Sequence, residues 1–214
     1  MQRRKRPEKV PSILTRGPNA DGTEPDRYNR SAVREALTEM YSDGEGCVIC
    51  CYCETRLAVK RQAQVEHRKP QKHFPQLKNE WTNLHFACGD CNGTKDERWD
   101  DANPILDAGI DNIECHLRYR APDTLDFRIH YVTRRGKTTI CHARLDREAL
   151  EEARQGIYCV VQRYLMELIH LPGGTSTVSE TSLAKELPGK FSGAHGSYLR
   201  FLWESYGLPI LEKD

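Results

Sequence analysis

The sequence predicts an α+β fold: a small hairpin-and-helix core with helical and strand-rich flanks. Three observations predict it. Two C-x-x-C pairs are present, with 34 residues between Cys53 and Cys88. Apolar residues recur at three- and four-residue steps over 31–41 and again over 146–170, the period of an amphipathic helix. Between those stretches, 113–120 and 125–132 alternate as half-buried strands do.

A chain of 214 residues forms one domain with embellishments, or a small domain with helical flanks. Charged residues make up 29%, yet the net charge is only +1. Any nucleic-acid binding must therefore come from a local patch, a metal ion or a partner. No apolar run approaches the roughly 18 residues of a membrane span, so no membrane is expected among the partners. The N-terminal MQRRKRPEK is basic, but no apolar stretch follows and it does not read as a signal peptide. Residues 1–28 read as a flexible basic segment. Nine cysteines, an odd number without a secretory signal, argue for a reducing, cytoplasmic setting rather than a disulfide framework.

Taken in order, residues 31–41 (SAVREALTEMY) place Val33, Leu37, Met40 and Tyr41 on one helical face, with Ser31 as N-cap. Then comes CVICCYCE, with Cys47, Cys50, Cys51 and Cys53 in seven positions. Downstream, ACGDCNGTK supplies Cys88 and Cys91. Each C-x-x-C turn points two sulfurs at one ion, and two such turns close a tetrahedral zinc site. The first pair reads equally as Cys47/Cys50 or Cys50/Cys53. Isolated Cys115, Cys141 and Cys159 read as packing residues. After the strands, Arg135-Gly136 marks a turn before a further strand at 137–140. The helix over 146–170 buries Leu150, Ala153, Ile157, Val161, Tyr164 and Leu168. Asp146 caps it, Leu145 and Leu150 staple it, and Pro172-Gly173 ends it. Residues 173–182 read as a linker, and an aromatic helix at about 197–206 stops at Gly207 and Pro209.

The insert between the cysteine pairs holds VEHRKP (65–70) and EWTNLHFACGDCN (80–92), followed by Lys95. Water deprotonation near neutral pH suits an imidazole such as His67. Glu66 and Asn92 offer hard oxygens, which suit a cation such as Mg²⁺ or Mn²⁺. In this compound pattern the sequence resembles the HNH nuclease family, on Glu66-His67, Asn83 and Asn92 with cysteine pairs on both sides. The resemblance implies a ββα-metal (HNH) core braced by a four-cysteine zinc site of Cys50, Cys53, Cys88 and Cys91. Cys47 and Cys51 are then spare thiols. It implies His67 as general base, Glu66 and Asn92 as ligands of a catalytic Mg²⁺ or Mn²⁺, and Asn83 fixing the loop that presents His67. Val65–His67 and Leu84–Ala87 form the hairpin. A helix from Cys91 carries Asn92 and Lys95 in its first turn, where the helix N-terminus favours phosphate. Lys95, Arg68 and Lys69 are the candidate substrate-binding residues. Trp81 reads as packing, and His85 matches no ligand position.

CYCE, EHRKP, WTNL and NPILD extend the likeness to the HNH component of Septu-type anti-phage systems and related retron modules. That likeness implies a DNA substrate and an ABC-type ATPase partner. It divides the chain into the basic segment, an HNH core at 29–100, and an α+β extension at 101–214 for docking. A stand-alone restriction or homing nuclease and a non-catalytic zinc module are the alternatives. The first lacks a recognisable DNA-reading domain here, and the second has no use for a general base.

Overall fold

A computed structural model describes residues 1–58, 62–169 and 195–208. Its elements run α1 (Ser31–Tyr41), β1 (Val48–Ile49), β2 (Arg56–Leu57), β3 (Gln64–His67), β4 (Leu84–Ala87), α2 (Gly89–Lys95), β5 (Leu117–Arg118), β6 (His130–Tyr131), α3 (Arg134–Ala143), α4 (Glu148–Ile169) and α5 (Gly196–Ser205). Among the described residues the strands pair as three antiparallel hairpins, β1–β2, β3–β4 and β5–β6. The class is the expected α+β, with a hairpin and a helix at its centre.

In the central hairpin Glu66 lies opposite His85 and His67 opposite Leu84. All four β4 residues are buried, because α1 and the cysteine turns cover the hairpin. An 11-residue helix is too short to hold itself in water. α1 persists because Val33, Leu37, Met40 and Tyr41 are buried on this hairpin. Each such side chain contributes roughly 1.5–3 kcal/mol. A second cluster joins Val161 and Tyr164 of α4 to Tyr198, Leu199, Leu202 and Trp203 of α5, with Tyr164 and Trp203 stacked at 5.6 Å.

Several expectations need correction. The N-terminal segment is not a free tail. Arg6 donates to the carbonyls of Trp81 at 2.6 Å and Leu84 at 3.0 Å, and Arg27 is buried. A basic run reads as solvated because burial of a guanidinium depends on carbonyls that only the fold assembles. Arg30, not Ser31, occupies the N-cap of α1. The expected long strands shrink to β5 and β6, and 134–143 is helix rather than turn and strand. Gly136 sits inside α3 because a Cβ there would lie 2.2 Å from the carbonyl oxygen of His116, so the glycine serves close approach and not a turn. α4 starts at Glu148, with the amides of Leu150 and Glu151 on the Arg147 carbonyl, one residue after the expected cap. Cys115, Cys141 and Cys159 are exposed, not packed. The linker at 173–182, the Pro172-Gly173 stop and Pro209 lie outside the described residues.

Candidate active site and metal centre

The cysteine turns explain the rigidity of the core. After β1 the chain reverses through Cys50–Thr55, with the Cys50 amide on the Thr55 carbonyl at 3.0 Å. Glu54 takes a left-handed φ of 63° to make that reversal. The second turn is the start of α2, where Cys88 is the N-cap and its Sγ accepts from the Cys91 amide at 3.4 Å. The sulfurs of Cys50, Cys53, Cys88 and Cys91 all lie within 4.8 Å of one another and are buried. An ion about 2.3 Å from each sulfur in a tetrahedron holds neighbouring sulfurs about 3.8 Å apart. Cys53 and Cys88 stand 3.7 Å apart, so the four fit structural zinc. The open choice of pair resolves as Cys50/Cys53. Cys47 and Cys51 stand outside the cluster. Thiol donors from Cys50, Cys88 and Cys91 pull the Cys53 thiol far down, whereas the same crowding pushes Cys88 and Cys91 up. Zinc is bound by thiolates, so a dication among the four sulfurs would favour their ionised forms. Arg147, from the start of α4, donates to Cys91 Sγ at 3.5 Å. Burial works to lower its guanidinium, and the nearby sulfurs of Cys91 and Cys53 together raise it above its ordinary value.

Beside this centre β3 and α2 open a cleft of about 310 Å³, lined by Glu66, His67, Gln71, Lys72, Asn92 and Glu97 among others. Glu66 is buried, and its Oε1 accepts from Tyr52 at 3.0 Å and from Lys95 at 2.7 Å. Burial pushes its carboxyl above the usual range, and Lys95 and Tyr52 work against that. The imidazole of His67 rests edge-on against Tyr28 at 4.6 Å. Its Nε2 lies 2.8 Å from the Lys78 carbonyl and its Nδ1 3.0 Å from Gln71 Nε2. A carbonyl can only accept, so Nε2 carries hydrogen, and in the neutral ring Nδ1 offers its lone pair. Burial pushes this imidazole below its ordinary value, with Lys95 and Lys78 adding to the effect.

Asn83 ties the excursion that follows β3. Its Oδ1 accepts from the Lys69 amide at 2.7 Å, and its Nδ2 donates to the carbonyls of Lys69 and Leu77 at 3.0 and 3.3 Å. The Asn92 amide nitrogen donates to Gln64 Oε1 at 2.8 Å. The carboxylate of Glu66 and the amide oxygen of Asn92 are hard donors reaching one cleft, the set that suits Mg²⁺ or Mn²⁺.

Three of the basic expectations change. Because Cys88 caps α2, the helix begins at Gly89; Asn92 is its fourth residue and Lys95 its last. Lys95 is 1% exposed, donates to the His67 carbonyl at 2.9 Å and pairs with Glu66, so it does not face substrate. Arg68 turns away to Asp107 at 3.1 Å and the Ile105 carbonyl at 2.9 Å. The Lys69 ammonium lies over the rings of Phe74 and Trp99, at 5.2 and 5.8 Å. Trp81 is buried packing. His85 is buried behind the hairpin between Tyr41 and Arg6. Sequence reasoning missed Tyr52, Gln71 and Arg147. Gln71 lies four residues after His67, a spacing without meaning until the chain turns at Pro70, where the amides of His73 and Phe74 return to the Pro70 carbonyl.

The arrangement of a zinc-braced hairpin, a helix and a Glu-His pair at the strand end now meets the comparison with known proteins. Residues 50–98 match the HNH endonuclease family. The matched segment, under a quarter of the chain, is similar to an HNH domain. The chain is also similar to Septu protein PtuB of Bacillus thuringiensis, 28% identical over 114 residues, which is 53% of this chain and 40% of that protein. The match thus spans less than half the length of its relative. It names Septu and does not extend to retron modules. Among the described residues no helix is long and apolar enough to cross a membrane.

Proposed function

We propose that the chain is a metal-dependent HNH endonuclease that hydrolyses phosphodiester bonds in DNA, working as the nuclease of an anti-phage complex with an ABC-type ATPase. One observation carries the chemistry: Glu66, His67 and Asn92 line a single cleft on the zinc-braced hairpin and helix. Glu66 and Asn92 would hold Mg²⁺ or Mn²⁺, which when bound offsets charge on the scissile phosphate and the leaving oxygen. His67 takes the proton of the attacking water at Nδ1, since the Lys78 carbonyl fixes hydrogen on Nε2. Asn83 holds the excursion after His67 in place. Lys72, 64% exposed on the cleft wall, is the cation best placed for a backbone phosphate.

The likeness to a Septu protein supports the defence setting. A net charge of +1 suits a nuclease that borrows its phosphate-binding surface from a partner. Among the described residues, six of the seven exposed large hydrophobic side chains, Ile110, Leu125, Tyr131, Val132, Val160 and Met166, fall in the extension from 101 onward. That distribution favours the extension as the docking region. The decisive experiment is plasmid cleavage with added Mg²⁺ or Mn²⁺ by the wild type and by His67→Ala. Loss of cleavage in a folded, zinc-loaded variant is expected, and retained activity refutes the mechanism. Co-purification with an ABC-type ATPase co-expressed from the same genome tests the assembly, and failure to associate at micromolar concentration counts against it.

A further inference from the structure

The nitrogen assigned above as the base is not free. His67 Nδ1 accepts from the side-chain amide of Gln71 at 3.0 Å, while Nε2 is committed to the Lys78 carbonyl. An imidazole nitrogen has one lone pair in the ring plane, and a lone pair that accepts from an amide cannot at the same moment accept from water. Gln71 lines the same cleft as Glu66 and Asn92, so the blocking amide stands on the substrate side of the ring. The next residue, Lys72, pairs with Glu97, which also lines that cleft, and both side chains are exposed. A phosphate entering there would compete with Glu97 for Lys72, the chain neighbour of Gln71.

We propose that Gln71 is a positioning residue that latches the general base: its amide holds His67 Nδ1 until a phosphate draws Lys72 from Glu97 and leaves the lone pair to water. The proposal rests on the nuclease reading, but its first test does not need cleavage. In protein labelled with ¹⁵N-histidine, with His67 assigned by a His67→Gln variant, Gln71→Ala is expected to move the Nδ1 resonance toward that of an unbonded imidazole nitrogen. Duplex DNA, added to the wild type without Mg²⁺ or Mn²⁺, is expected to move it the same way. An unmoved resonance in Gln71→Ala overturns the latch, and so does an unmoved resonance on saturating DNA. The second test is plasmid cleavage with Mn²⁺. Release of one neutral hydrogen bond is expected to make Gln71→Ala about two- to tenfold faster than wild type. A slower variant with a shifted resonance shows that Gln71 helps the water instead, which also overturns the latch. If His67→Ala cleaves as well as wild type, the nuclease reading falls, whereas the resonance still reports whether the latch exists.

Discussion

The Sγ atoms of Cys53 and Cys88 lie 3.7 Å apart, bringing the turn after β1 against the N-cap of α2. The Cys51 amide also reaches the Phe86 carbonyl at 2.8 Å, and an ion shared by the two turns would close the core. Cys88→Ser is expected to lose bound zinc, from about one ion per chain to near none, and to unfold at ordinary temperature. Elemental analysis and circular dichroism measure the two effects. A folded variant that keeps its zinc would show that the cluster is not the brace.

His85 gives a prediction with a sign. Arg6 can only donate, so its contact at 3.2 Å makes His85 Nε2 an acceptor, and Nδ1 then donates to Tyr41 Oη at 2.6 Å. The ring is neutral by geometry. Burial, with Arg6 and Arg68 adding to it, pushes its pKa well below the ordinary 6.5. The unfolded chain therefore takes up the proton first as pH falls. His85 contributes its full stability above about pH 6.5, and the contribution is lost as pH falls toward the folded-state value, at up to about 1.4 kcal/mol per pH unit. His85→Gln keeps a donor and an acceptor but cannot titrate. Urea unfolding at several values from about pH 5 to 7 is expected to give a shallower acid slope for the variant.

Asn83 makes three hydrogen bonds to the backbone of the excursion after β3, all with its side chain. In Asn83→Ala a backbone amide and two carbonyls lose their partner. Water reaches some of them, so the expected cost is about 2–3 kcal/mol, with cleavage reduced more than DNA binding. Asn83→Asp keeps the bond from the Lys69 amide and loses the two donations. It is expected to fall between wild type and alanine in denaturant unfolding.

Local rules made part of this molecule legible before its coordinates. The four buried positions of α1 and the aromatic helix at 196–205 follow from period and punctuation, whereas the hairpin strands at 65–67 and 84–87 came only with the family resemblance. The cysteine cluster followed from paired turns, although the choice between Cys47 and Cys53 needed the family pattern. The failures have a common cause. Arg6 was read as solvated, Lys95 and Arg68 as substrate-binding, and Arg147 was left aside, yet each is held by carbonyls, carboxylates or sulfurs from distant segments. Nothing local marks a cation for burial, because its partners meet it only after the chain folds. Gly136 failed in the same way: a glycine inside a helix reads as a turn until the backbone of His116 is placed against it.

The buried pair of Lys95 and Glu66, 1% and 3% exposed at 2.7 Å, offers the sharpest test of that last kind of contact. Removing one partner leaves the other charge uncompensated in the interior, a loss of about 3–5 kcal/mol. Lys95→Met preserves the length of the stem and is expected to be destabilised by that order at neutral pH. Burial already raises the Glu66 carboxyl, and Lys95 is the main influence against it, so the variant's Glu66 protonates at higher pH than the wild type's. A carboxyl raised in the folded state costs most above its folded-state pKa and nothing below its unfolded one. The deficit of Lys95→Met is therefore expected to shrink as pH falls toward about 4.5. Pairing it with Glu66→Gln removes the stranded charge and is expected to recover most of the loss. Additive single losses in that double-mutant cycle would show that the two side chains do not depend on each other, whereas strong coupling means that α2 is locked to β3 through this pair as well as through the sulfurs.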